Sequence, residues 1–130
     1  MTDLTQTVLP RIEQHHINYL PKDDDLIFPF YEGYSLANIP GTITHLLDAP
    51  DFGISPLDEV ILSPLGGPYE KVILLLVDAL GYHLLDEIRC TEKESLWCRY
   101  FDQAVFSPIT SICPSTTASA LTTLWTGAGA

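Results

Sequence analysis

The sequence predicts an α/β fold, and three observations predict it. Val72–Val77 reads Val-Ile-Leu-Leu-Leu-Val, an apolar run with no alternation. Both faces of such a run call for burial, which is the pattern of a central parallel strand covered by helices on each side. Leu80, Leu84, Leu85 and Ile88 then fall on one face of a helix. A second apolar stretch, Ala104–Phe106, reads as a strand and Ser115–Trp125 as a helix that stops at Gly127. Strand, helix, strand, helix is the order that builds α/β domains.

Residues 1–70 read differently. Leu4, Val8, Ile12 and Ile17 repeat at near-helical spacing and predict a modest helix over residues 1–20, interrupted in principle by Pro10. Asp23, Asp24 and Asp25 form an acidic turn before the aromatic stretch Phe28, Phe30, Tyr31 and Tyr34. They lack the alternating spacing and the glycine of a calcium loop. Ser35–Asp48 predicts a second helix with Ile39, Ile43, Leu46 and Leu47 on one face. Asp51–Pro68, broken by prolines and glycines, reads as a connection holding one apolar segment, Val60–Leu62.

Composition narrows the function. The chain has 130 residues, room for one ordinary domain, and its 46% hydrophobic content is that of a folding chain. A net charge of -11 repels phosphate backbones and anionic lipid, so neither nucleic acid nor a membrane is expected as a partner. Cys90, Cys98 and Cys113 are odd in number and show no CxxC spacing, which argues against a disulfide scaffold or zinc ribbon. With no basic, apolar leader at the N-terminus, the expected compartment is the cytoplasm.

Two places carry chemistry. Asp78 ends the apolar run, and open α/β sheets bind ligands just beyond the carboxyl ends of their strands. A carboxylate there suits a hard divalent cation, or it caps the helix that follows. The second place is Ile109–Leu121, where Ser115, Thr116 and Thr117 gather hydroxyls at a helix start. Unpaired amides and the helix dipole favour an anion at that position, although serine and threonine are also ordinary capping residues. His15, His16, His45 and His83 have no spacing partners and read as helix-surface residues, not ligands.

Val72–Gly81, VILLLVDALG, followed by Pro114–Gly127, PSTTASALTTLWTG, resembles the opening of the type I phosphodiesterase/nucleotide pyrophosphatase group of the alkaline phosphatase superfamily. The resemblance covers roughly residues 70–127, and Tyr34–Leu47 is similar to the leader of bacterial members. It implies a helical and loop leader over residues 1–70. Residues 71–130 would be the start of a catalytic domain, a truncated alkaline-phosphatase-like sheet, mostly parallel and flanked by helices. It implies a metal-dependent hydrolase of small phosphate esters with two divalent ions, zinc in that group. Asp78 falls on the metal aspartate. Thr117 falls on the nucleophilic threonine, also a metal ligand, whether counted from Pro114 or back from Thr126-Gly127. The reaction implied runs through a phosphothreonine later cleaved by water.

This sequence departs from the group at Ala120, where pyrophosphatases carry an asparagine that contacts phosphate. Phosphomonoesters and other diesters are therefore open as substrates. Cys113-Pro114 with no arginine following does not fit the sulfatase pattern. The other metal ligands of the group lie downstream of its nucleophile, so these 130 residues alone are expected to be inactive. The competing readings are a non-enzymatic α/β module in which Asp78 and the hydroxyl cluster are only caps, and a phosphomutase-like transferase of the same superfamily.

Overall fold

The computed structural model describes residues 2–20, 26–91 and 103–128. The acidic run at residues 23–25 and Cys98 lie outside them. The coarse expectation holds: the chain is α/β, with five α-helices and one small parallel sheet among the described residues.

Strand β1 (Thr2–Asp3) is followed by helix α1 (Thr5–Gln14). The Asp3 carboxylate accepts the Thr5 amide at 2.9 Å, while the N-cap residue, Leu4, supplies no side-chain cap. Leu4, Val8 and Ile12 are buried, as their spacing predicts, and Pro10 is accommodated within the helix. A short 3₁₀ turn, Leu36–Asn38, leads into α2 (Ile39–Leu46). Its reciprocal cap joins Ser35 Oγ to the Ala37 amide and Asn38 Oδ1 to the Ser35 amide. The buried side of α2 is Pro40, Gly41, Thr42 and Leu46, whereas the predicted Ile39, Ile43 and Leu47 are only half-buried.

The expected connection over Asp51–Pro68 contains a helix, α3 (Glu59–Leu65), which buries Ile61 and Leu62. Asp58 caps it by accepting the Val60 amide at 3.0 Å. Gly33 makes the close approach possible: its φ is +96°, and a Cβ there would lie 2.7 Å from the Asp58 nitrogen. Helix α4 (Tyr82–Thr91), strand β2 (Val105–Phe106) and helix α5 (Thr117–Thr126) complete the set. Gly127 ends α5 in the left-handed conformation, φ 67°, as its place in the sequence predicts.

The core joins the two halves of the chain. Leu4, Val8 and Ile12 of α1, Tyr34, and Leu57, Ile61 and Leu62 at α3 form one cluster, against which Val105 and Ile109 pack. In parallel register Thr2 lies beside Val105 and Asp3 beside Phe106.

The structure departs most from expectation at Val72–Val77. The run is not a buried strand: it has no regular secondary structure and makes no backbone hydrogen bond to another described residue. Ile73 is 92% exposed and Leu75 76%, whereas Leu74 and Leu76 line a hollow of about 350 Å³ with Ile43, Leu121, Leu124 and Trp125. Leu74 and Leu76 are themselves 50% and 43% exposed, so even the side of the run that faces α2 and α5 is open. A strand needs neighbours to exchange ladder hydrogen bonds with, and none stands beside this run among the described residues. The sheet is correspondingly two strands of two residues each and not the wider parallel sheet expected.

Candidate functional site

The hydroxyl cluster is organised by the start of α5. Thr116 is the N-cap: its Oγ1 accepts the Ser119 amide at 3.2 Å and donates to Ser119 Oγ at 3.0 Å. The Ala120 amide bonds the Thr116 carbonyl, closing the first turn. Thr117 is the first helical residue. The amides of Thr117 and Ala118 have no acceptor within the helix, because the opening turn of any α-helix lies ahead of its own carbonyls. The positive end of the α5 dipole falls there too.

Thr117 and Asp78, 39 positions apart, meet at this point. Thr117 Oγ1 donates to the Asp78 carboxylate, 3.2 Å from Oδ2 and 3.4 Å from Oδ1. Asp78 Oδ1 also accepts the amide of Ala79 at 2.9 Å. That neighbouring residue is held at φ 60°, a conformation costly for any residue with a side chain, and the sharp turn follows directly on the carboxylate. Asp78 does not cap α4, which begins at Tyr82 with the Gly81 carbonyl accepting its first bond from Leu85. Capping is thus what Thr116 does, and Asp78 and Thr117 are turned toward each other.

The pair sits in an open cleft of about 380 Å³. Ser111, Ser115 and Thr116 lie along it with Leu36, Leu76, Leu80 and Ala120, and Asp78 is the charged residue of its lining. Ala120, the position at which the resembled group carries asparagine, thus faces the same space. Both Asp78 and Thr117 are exposed, so water competes with their hydrogen bond.

Carboxylate and hydroxyl oxygens are donors of the type that hard divalent cations take. They are two, where catalytic centres use three protein ligands. Among the described residues no group of three or more His, Cys, Asp or Glu side chains is placed to hold a metal ion. His15 stacks on Phe30 with ring centroids 3.9 Å apart, and His16, His45 and His83 are exposed. Cys113 carries an exposed free thiol close to the hydroxyl cluster. Among the described residues no helix is long and apolar enough to cross a membrane.

Comparisons with protein-family models, with curated proteins and with solved structures find no match to this chain.

Site features that sequence reasoning missed come from the leader. Leu36 lines the cleft, and the stretch around it is tied to residues 110–113. A signal was present: serine at 35 with asparagine at 38, just ahead of Ile39-Pro40, is a capping pattern that fixes a chain entry.

Proposed function

We propose that this chain carries the nucleophile and one metal ligand of a metal-dependent phosphate-ester hydrolase. Thr117 is the nucleophile in this reading, and Asp78 binds metal. The observation that carries the proposal is the 3.2 Å contact between Thr117 Oγ1 and the Asp78 carboxylate at the amino end of α5. The order of the two motifs, which resembles the alkaline phosphatase superfamily, supports it independently.

Each residue has a task that follows from its position. Asp78 orients the Thr117 hydroxyl and draws its proton outward. The free amides of Thr117 and Ala118 and the α5 dipole favour the nonbridging phosphoryl oxygens. Ser111 and Ser115 place further hydroxyls along the cleft, whereas the Thr116 hydroxyl is already committed to Ser119. Thr117 Oγ1 bonds to phosphorus as the ester P–O bond breaks, its proton departs, and the leaving alcohol takes one up. Water then cleaves the bond between Oγ1 and phosphorus and restores the hydroxyl. Divalent cations, zinc in the resembled group, would supply Lewis-acid stabilisation of the threonine alkoxide and of the leaving oxygen. Asp78 and Thr117 would hold part of that metal site, with further ligands from outside the described residues.

The test uses the protein as its gene encodes it. Incubation with p-nitrophenyl phosphate or its diester and zinc, followed by an acid quench and peptide mass spectrometry, should find a phosphoryl group on Thr117. Turnover with no label, or with the label on Thr116 or Ser115, sinks the assignment.

A further inference from the structure

The densest set of long-range hydrogen bonds near the cleft ties the leader to the segment just before the nucleophile. The Thr110 amide donates to the Tyr34 carbonyl at 2.7 Å, and the Leu36 amide to the Thr110 carbonyl at 2.9 Å. The Thr110 hydroxyl donates to the Tyr34 carbonyl at 3.1 Å and accepts the Phe30 amide at 3.0 Å. Ser35 Oγ donates to the Ser111 carbonyl at 3.3 Å, and Tyr31 Oη accepts the Cys113 amide at 3.1 Å. Ser35 and Asn38 are fully buried. The Asn38 amide group anchors the other side of the brace, donating to the carbonyls of Tyr31 and Ser55 at 2.8 Å each.

We infer that Tyr31 and Ser35 are positioning residues: they hold residues 110–113, and through them the start of α5, so that Thr117 stays within reach of Asp78. The inference rests on the hydrolase reading above. Its physical basis is that residues 111–116 have no helix or strand of their own. An irregular segment keeps one conformation only where its polar backbone is satisfied from outside, and here the partners are the Tyr31 hydroxyl and the Ser35 hydroxyl. A small displacement of a nucleophile costs rate more than binding, because in-line attack requires alignment that substrate binding does not.

The test compares Tyr31→Phe and Ser35→Ala with the wild-type full-length protein. Among the described residues Tyr31→Phe removes only the bond to the Cys113 amide, whereas Ser35→Ala removes the bond to the Ser111 carbonyl and also the cap on the Ala37 amide. Tyr31→Phe is therefore the cleaner variant, and both keep the Asn38 side-chain bonds to the carbonyls of Tyr31 and Ser55. Both should lower kcat about fivefold with KM changed less than about twofold, the size expected for one lost positioning hydrogen bond. Hydrogen exchange of the peptide spanning residues 110–117 should quicken, while peptides of α1 and α3 exchange as in wild type. Unchanged exchange at residues 110–117 in both variants overturns the inference, as does faster exchange with unaltered kcat. A raised KM at constant kcat overturns it too, since that marks a substrate contact. A wild-type protein that turns over no ester overturns the hydrolase reading and the positioning role with it. The exchange data identify that failure, because the segment would still loosen in both variants.

Discussion

Thr116 and Thr117 are adjacent, chemically identical and assigned opposite duties, so alanine at each should give opposite results. Thr116 Oγ1 accepts the Ser119 amide and bonds its hydroxyl, and nothing ties it to Asp78. Removing an N-cap threonine costs about 1 kcal/mol, which lowers the melting midpoint by roughly 3–6 °C in a chain of this size. Turnover at a permissive temperature should remain within about threefold of wild type, since the free amides and the Thr117 hydroxyl survive. Among the described residues Thr117 Oγ1 bonds only the exposed Asp78 carboxylate. Losing it costs about 0.5 kcal/mol, and alanine at a helical position returns about the same amount over threonine. Stability should therefore hold to about 0.5 kcal/mol while turnover falls at least about 10³-fold, because the covalent route is gone. Thr117→Ser should retain part of the activity. Thermal melts and steady-state rates on p-nitrophenyl phosphate measure both quantities. A dead but well-folded Thr116→Ala variant beside an active Thr117→Ala variant would refute the register.

Other outcomes follow from the same geometry. Asp78→Asn keeps an acceptor for the Ala79 amide but loses the charge, so elemental analysis of the full-length protein should show bound metal falling from two ions toward one; unchanged metal content counts against the ligand role. Burial raises the Tyr34 pKa above its ordinary 10.0, as does nearby Asp58, while the Arg11 guanidinium opposes them. A raised phenol pKa gives stability that is present below about pH 10 and lost as pH rises through the folded value. Tyr34→Phe should flatten that alkaline loss in urea titrations, and an identical slope in the variant would show that Tyr34 is not its source. The exposed Ile73 and Leu75 should make the 130-residue chain self-associate, with Ile73→Lys/Leu75→Lys reversing it in light scattering; a monodisperse wild type refutes this.

Periodicity made α1 and α4 legible, and the stop at Gly127 marked α5, although of these three only α1 buries its apolar residues: Leu84 of α4 and Trp125 of α5 stay exposed. Helix α3 escaped detection for a local reason. Pro56, Pro64, Gly66 and Gly67 surround it and read as a connection, although Asp58-Glu59 ahead of Val60-Ile61-Leu62 is a helix-start signal. Val72–Val77 shows the opposite limit. An apolar run states that burial is favourable, but burial is made by other elements, and the run cannot report whether they stand beside it. The candidate site was legible through motif order alone. Asp78 and Thr117 could be named from their places at the end of an apolar run and at a helix start, whereas their separation is set by tertiary contacts. Leu36 reaches the cleft only because Thr110 pairs with the leader, a contact between distant segments that no local pattern encodes.

The two halves of the candidate site are held unequally, and that inequality bears on how metal would bind. Thr117 begins a capped ten-residue helix; the segment ahead of it is bonded to Ser35 and Tyr31 at Ser111 and Cys113, and the helix exit is where Gly127 meets Gly53. A Cβ on Gly127 would come within 2.7 Å of the Gly53 Cα. Asp78 follows a run exposed from Ile73 to Val77, and among the described residues its carboxylate is engaged by the Ala79 amide and the Thr117 hydroxyl. A ligand that moves against its partner must be ordered when the ion arrives, and that conformational cost subtracts from affinity. Whatever pairs the backbone of Val72–Val77 would therefore fix Asp78 before metal binds. In the proposed hydrolase, covering the apolar run and completing the metal site are then one structural event, and metal affinity should rise with whatever shields Ile73 and Leu75 from water.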